Sequence, residues 1–357
     1  MKLVYAVSKD GFRDKNHVGV RKKVFGMINT FEKQGIECKL CEYEWENGMP
    51  LFEVDRDTDV LYFRRLESSV KLILKLSKLK RIAPKLKVIM EIPTYPFKGE
   101  TIVKTSLKRK ISLLIGAKLL NFFVDRIVLT GDHPGIFSLY KIPVINIYNG
   151  VDTENIKIGA RYSSKDEIHL IAVSGCYFWH GYDRLIRGLS DYYLEGNKTK
   201  VYFHIVGDGD CLEEYKTLVN ENAFIKEYVI FEGILEGKEL AEIFDKCHVA
   251  IDCLGCHRKG IYSVSSLKVP EYGVKGLPII TSVNSNLMNG ELRKFFLMLP
   301  SDESNIEVGK ILEFYFSLCD EYNKDDLPEL IRSGFIKYCD WERALAKLIV
   351  YMKEERK

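Results

Sequence analysis

Between residues 257 and 271 the chain reads HRKGIYSVSSLKVPE, which puts Arg258, Lys259, Lys268, three serines and the carboxylate of Glu271 into fifteen positions. Ser265 and Ser266 stand where a short helix would begin, Gly276 stands where it would end, and residues 277 to 280 then run apolar. A helix start has backbone N–H groups without intrahelical partners and about half a positive charge, so it favours a phosphate. With Ser266 as the cap, the N–H groups of Ser265, Ser266 and Leu267 lie at that start, and Pro270 falls where a missing N–H is tolerated. Lys268, with Arg258 and Lys259 upstream, would add charge-assisted contacts to a diphosphate. Glu271, one turn in, would accept hydrogen bonds from ribose hydroxyls. The alternative for Glu271 is a solvated helix carboxylate.

Other candidates end strands. MEIPTYPFKGE carries Glu91, Tyr95 and Glu100, and a carboxylate at a strand's carboxyl edge is placed to orient or deprotonate an acceptor hydroxyl. The competing reading is that Pro93 and Pro96 shape a loop and Glu91 bonds only backbone. Arg64 and Arg65, ending VLYFRR, suit an anionic acceptor. His180, between Trp179 and Gly181, either hydrogen-bonds a phosphate or packs beside the indole.

Nine cysteines are scattered through the chain, an odd count without a secretory signal, which points to reduced thiols in a cytosol. Cys38 and Cys41 lie in a strand pattern, where side chains three apart point to opposite faces and do not share a metal ion. Cys253 and Cys256 have metal-like spacing and could hold zinc with His257, but the two cysteine pairs lack the compact spacing of known structural sites, and the reading without zinc is preferred. No metal is therefore expected.

These residues need elements to hold them. Short apolar runs alternate with helical patterns, the signature of parallel sheets covered by helices. Expected strands are KLVYAV, ECKLCEY, VLYFR, KVIMEI, RIVLT and PVINIY, then IHLIAVS, VYFHIVG, VIFEG, VAIDCL, LPIITS and FFLML. Expected helices are GVRKKVFGMINTFEKQG, SLKRKISLLIGAKLLNFF, YDRLIRGLSDYYLE, CLEEYKTLVNENA and GKELAEIFDKC. A length of 357 residues predicts two domains, and the polar stretch at residues 152 to 168 is the expected linker. The last stretch, CDWERALAKLIVYMKEERK, is an amphipathic helix whose Leu345, Leu348, Ile349 and Met352 must dock on something.

The net charge of +3 is unevenly spread: residues 71 to 120 hold thirteen Lys or Arg against Glu91 and Glu100. In SLKRKISLLIGAKLL the basic residues interleave with Leu and Ile at helical spacing, which suggests a peripheral surface on anionic lipid; a solvated face is the alternative. No nucleic-acid-binding module accompanies the charge, so no nucleic-acid partner is expected. Nor does any stretch reach the length of uncharged apolar residues that a spanning helix needs.

The segments DRIVLTGDHPGIFSLY, VINIYNGVD, FWHGYDRLIRGL, HIVGDGDCLEEY and KVPEYGVKGLPIITS occur in the order and spacing of the GT-B glycosyltransferases, and most resemble their retaining family 4. The resemblance spans nearly the whole chain and is strongest from residue 125 to 285. It implies an α/β fold of two Rossmann-like, doubly wound parallel-sheet domains facing across a cleft, with the C-terminal helix crossing back to the first. Residues 1–155 with 341–357 would bind the acceptor, and residues 156–340 the nucleotide-sugar donor. Glu271 matches the second of the family's paired glutamates, which holds the ribose; the first falls on Ser263. The family's diphosphate-gripping Arg and Lys fall on Gly175 and His180, so Arg258 and Lys259 are expected to substitute. Gly19, in KNHVGVRKKVFGM, matches a glycine loop that lets a sugar or phosphate approach. Asp208, in GDGD, matches a Gly-Asp-Gly turn, and no metal cofactor follows from it.

The implied reaction is transfer of a hexosyl group from a nucleotide diphosphate sugar to a sugar or lipid-linked acceptor, retaining and metal-independent, with Glu91 and His180 near the sugar. The implied setting is bacterial polysaccharide or glycolipid assembly, such as capsule or exopolysaccharide, in the cytoplasm or on the inner face of the cell membrane. Two rivals are a nucleotide-sugar 2-epimerase, which needs more cleft carboxylates than this chain offers, and a non-catalytic GT-B partner that has lost donor binding.

Overall fold

The computed structural model describes residues 1–13, 18–64, 68–92, 107–131, 133–137, 140–158, 166–288 and 290–355. Arg65, Tyr95 and Glu100 lie outside the described residues. The chain divides into two compact units, Met1–Gly150 with Trp341–Lys357, and Val151–Asp340.

The first unit runs β1 Lys2–Ser8, α1 Lys9–Arg13, α2 Val18–Lys33, β2 Glu37–Tyr43, β3 Trp45–Glu46, β4 Met49–Pro50 and β5 Val60–Arg64. It continues through α3 Val70–Ile82, β6 Lys87–Ile92, α4 Leu107–Leu119, β7 Arg126–Thr130, β8 Ile136–Phe137 and β9 Ile142–Ile147. Seven of these strands form a sheet in the order β2-β1-β5-β6-β7-β9-β8, parallel except for the β8 edge. Central strands of a covered parallel sheet are apolar on both faces, which is why KVIMEI carries no polar alternation. The period of two still sorts the faces. Leu3, Tyr5 and Val7 pack with α2 and the C-terminal helix, whereas Val4 and Ala6 pack with Leu72, Leu76 and Leu79 of α3.

The C-terminal helix Trp341–Lys353 buries Leu345, Leu348, Ile349 and Met352 in this first unit. Its unpaired last carbonyls are met by Lys87, whose Nζ donates to Tyr351 O at 2.9 Å, to Met352 O at 3.2 Å and also to Glu354 O. A buried ammonium is thus held by a helix C-terminus, where the macrodipole favours it. At the other end, the Trp341 ring lies where a Cβ on Gly26 or Gly150 would sit, at 2.4 and 2.3 Å.

The second unit runs β10 Glu167–Val173, α5 Tyr182–Leu194, β11 Lys200–Val206, α6 Leu212–Asn220, β12 Val229–Gly233, α7 Gly237–Lys246 and β13 Val249–Ile251. Then follow β14 Ser263–Val264, α8 Lys268–Val274, β15 Ile279–Thr281, β16 Asn284–Ser285, β17 Phe296–Met298, α9 Val308–Tyr322 and α10 Leu327–Cys339. Its parallel six-stranded sheet has the order β12-β11-β10-β13-β15-β17.

All twelve expected strands are present, although VAIDCL and LPIITS are paired over three residues each. The helices α1, α3, α9 and α10 were not anticipated from the alternation. In α3, Ser69 accepts from Leu72 N as an N-cap, and Leu72, Ile73, Leu76 and Leu79 supply the buried face that its lysines obscure in the sequence. The expected linker is in part structure of the second unit: Arg332 donates to Thr153 O at 2.7 Å, and β10 starts at Glu167. Gly19 lies within the first turn of α2 and not in a loop ahead of it. Among the described residues no helix is long and apolar enough to cross a membrane.

Gly26→Ala should lower the urea midpoint, costing about 1–3 kcal/mol by overpacking the Trp341 ring. Gly11→Ala, where a Cβ meets nothing within 4 Å, is the control that should leave the midpoint nearly unchanged.

Candidate functional site

In the second sheet β11 lies on one side of β10 and β13 on the other, so the strand order reverses between β10 and β13. Connections leave such a point in opposite directions and open a crevice at the carboxyl ends of the strands. Loops from three strands meet there through glycines. A Cβ on Gly181, which starts α5 with φ of 66°, would fall 2.5 Å from Gly255 N. Gly207 and Gly209, with φ of 134° and 150°, lie against Ser174 O and Cys176 N, where a side chain would clash. Asp208 is therefore a turn residue: its Oδ1 accepts from Gly209 N at 2.7 Å, and its carbonyl accepts from Cys176 N.

Asp252, just past β13, is fully buried and organises the edge. Its Oδ1 accepts from Ser266 Oγ at 3.0 Å and lies 3.2 Å from Lys268 Nζ, while Thr281 Oγ1 donates to Oδ2 at 3.4 Å. Burial alone would lower the Lys268 pKa, but Cys253, Tyr182 and Asp252 around it outweigh burial and raise it. Of these neighbours the Asp252 carboxylate is the ordinary counter-charge, and Lys268 stays an ammonium.

Ser266 does not cap α8 as expected. The helix begins at Lys268 with Leu267 at its cap position, and Ser266 Oγ accepts from Lys268 N at 3.2 Å while bonding Asp252. The buried carboxylate claims the hydroxyl, so Ser266 links strand end to helix start. Glu271 is half-buried, in the first turn of α8. Ser263 is exposed in β14, paired with Asn284 of β16, and Ser265 follows β14 on the way to α8.

His180 is buried, and its Nδ1 accepts from Tyr177 N at 3.2 Å, which leaves the proton on Nε2. Burial, then the charge on Lys268, lowers its pKa, so the ring is neutral at pH 7. It also stacks on Tyr182 with centroids 5.6 Å apart. The packed-histidine alternative describes these contacts, with Tyr182 and Tyr177 as neighbours in addition to Trp179.

Arg258 is placed otherwise than expected. Nη1 donates to Phe178 O and Asp183 Oδ1, Nη2 to Asp183 Oδ2 and Glu303 Oε2, and Nε to Glu303 Oε1, all between 2.6 and 2.9 Å. Five donors meet five protein acceptors. Arg258 thus ties the turn Cys256–Lys259 to the start of α5, and a diphosphate would have to displace Glu303 to reach it. Lys259 instead lies over the Trp179 ring, 4.2 Å from its centroid. Glu303 and Asp183 were not singled out from sequence. No local signal marks them, because they reach Arg258 from 45 and 75 positions away.

In the first unit, a cluster forms at the carboxyl edge around Glu91, at 0% exposure. Lys23 Nζ lies 2.9 Å from Oε1, Arg64 Nε lies 3.2 Å from Oε2, and Tyr62 OH donates to Oε2 at 2.8 Å. Lys23 also donates to Thr130 Oγ1 at 3.1 Å, and α2 supplies it to the ends of β5, β6 and β7. Burial would raise the Glu91 pKa, but Arg64 and Lys23 outweigh burial and lower it to about 2. A carboxylate this acidic, and out of contact with solvent, is a poor general base. The expectation that Glu91 deprotonates an acceptor is therefore corrected: it is the counter-ion of two cations. Lys23 was missed because it reads as one of several charges on an amphipathic helix.

No protein-family model and no curated protein sequence matches the chain. Solved structures do. The chain is similar to Anabaena HepE in complex with UDP and glucose, with a TM-score of 0.63 and 12% identity over 99% of both chains. Sucrose-phosphate synthase from Thermosynechococcus elongatus gives 0.63 and 12% over 98% of both. A glycosyltransferase from Rickettsia africae gives 0.59 and 14% over 99% of this chain and 98% of that one. The fold is GT-B, as the sequence resemblance implies.

Glu91→Gln should be a folding defect, costing about 3–5 kcal/mol because two buried cations lose their counter-charge. The sign follows from its lowered pKa: Glu91 stabilises the fold above the ordinary carboxylate pKa of 4.5 and loses that contribution as pH falls toward about 2. Urea midpoints between pH 5 and pH 3 should fall less steeply in Glu91→Gln than in wild type. A variant that folds like wild type would contradict the counter-ion role.

Proposed function

We propose that the chain transfers a hexosyl group from a nucleotide diphosphate sugar to an acceptor hydroxyl. The observation that carries this reading is Lys268, held as an ammonium against buried Asp252 at the strand-order reversal, with Glu271 in the same helical turn. Departure of a nucleoside diphosphate develops negative charge, and a fixed cation with aligned N–H dipoles stabilises it without reorganising. In this reading Lys268 and Lys259 face the diphosphate, Glu271 binds the ribose, and Arg258 positions the turn that bears Lys259. His180, neutral and packed against Tyr182, is not a cation for the diphosphate. Fixed cations replace a metal ion, and the stereochemistry is retention.

The acceptor side of the reading rests on the first unit. Lys23 and Arg64 bring two positive charges against one on Glu91, and the surplus at the carboxyl edge suits an acceptor with an anionic group. A lipid-linked saccharide in bacterial polysaccharide or glycolipid assembly has that character. The structures that resemble the chain support the donor class, since one of them contains UDP and glucose.

Calorimetry with UDP, GDP and ADP, each in EDTA and in Mg²⁺, tests the reading. One diphosphate should bind equally well in both, and Glu271→Ala should weaken it by about 1–3 kcal/mol. Absence of binding to all three would overturn the reading in favour of a partner protein without donor binding, which Ser263 and the fully engaged Arg258 would then explain.

A further inference from the structure

Helix α4 is built inside out. Gly116 is its one buried residue among those described, and a Cβ there would fall 2.7 Å from the Ser69 backbone. Ser112 joins the contact, its Oγ accepting from Val70 N at 3.3 Å. Small residues, with Ala117 against the core and Leu113 half-buried, thus seat the helix, and Leu107, Ile111, Leu114 and Ile115 face away. Leu107 is 73% exposed, Leu114 65%, Ile111 49% and Ile115 44%, and Phe122 in the following turn is 72% exposed. An ordinary surface helix buries that stripe. Lys108, Arg109, Lys110 and Lys118 are exposed on the same helix, and no Asp or Glu occurs between Glu100 and Asp125.

At 100° per residue, Leu107, Ile111, Leu114 and Lys118 fall within a narrow arc opposite Gly116, with Lys108 and Lys110 on either side. We propose that this face of α4 lies in the interface of an anionic lipid bilayer, its Leu and Ile side chains among the acyl chains and its lysines on the headgroup phosphates.

Charge decides between occupants. A second copy would bring two uniformly basic faces together, which like-charge repulsion opposes. Protein interfaces are enriched in Tyr, Trp and Arg, whereas this stripe is aliphatic with lysines at its rim, the pattern of interfacial helices. Lysine stems run along the apolar stripe while their ammonium groups reach the headgroups. The proposal rests on α4 alone and stands apart from the donor chemistry, although a membrane-held acceptor would make the two act together.

The test is co-sedimentation of the full chain with phosphatidylcholine vesicles and with phosphatidylcholine–phosphatidylglycerol vesicles. Binding is expected only to the anionic vesicles and should weaken as salt is raised. Each of Lys108→Gln, Lys110→Gln and Lys118→Gln should weaken it by about fivefold. Leu107→Ser with Leu114→Ser should abolish it, while urea midpoints stay unchanged because both side chains are exposed. Equal binding to both vesicle types, or binding insensitive to these substitutions, would overturn the proposal. So would wild-type self-association that Leu107→Ser with Leu114→Ser abolishes without any vesicle binding, since the face would then be a contact between copies. Calorimetry with the nucleoside diphosphates on the same samples separates failure here from failure of donor binding.

Discussion

Glu91 in the first unit and Asp252 in the second are fully buried at the carboxyl edges of their sheets, and a buried charge must be paired or lost. Isolated, it would cost several kcal/mol. Glu91 ends β6 and meets that demand with Lys23 and Arg64; Asp252 follows β13 and meets it with Lys268, Ser266 and Thr281. Around each of them, strand end and helix start are held in register. In the second unit the lysine of the pair starts α8, so the constraint that holds the edge together also fixes a positive charge beside the strand-order reversal.

Close approach of the loops depends on glycine. Gly181 against Gly255, and Gly207 and Gly209 against the backbone of residues 174 and 176, let connections from β10, β11 and β13 converge at one edge. Any side chain there would separate them. The hydrogen bonds of Arg258 to Asp183 and Glu303 then lock the neighbouring turn onto α5. An arginine expected from its position to bind ligand spends all its donors on holding the scaffold.

Two amphipathic helices meet opposite fates for a reason visible in their partners. The C-terminal helix turns Leu345, Leu348, Ile349 and Met352 into the first unit, and Lys87 closes its last carbonyls. Helix α4 touches the body through Gly116, Ser112 and Ala117, so Leu107, Ile111, Leu114 and Ile115 are left outside. A hydrophobic pattern states that a face must be covered, not what covers it.

The twelve strands and most of the helices that flank them were legible because backbone period and burial are local properties of the sequence. The apolar runs, the glycine after α8 and the docking stripe of the last helix could be read directly. Helix α3 was hidden by its lysines. The roles of Glu91, Arg258 and Ser266 were not legible, because each is settled by groups brought from elsewhere in the chain. Sequence marked which residues could carry charge or accept a proton. Which of them are quenched was decided by tertiary structure, since an ion pair forms between neighbours in space, and burial sets what it costs to leave one unmade.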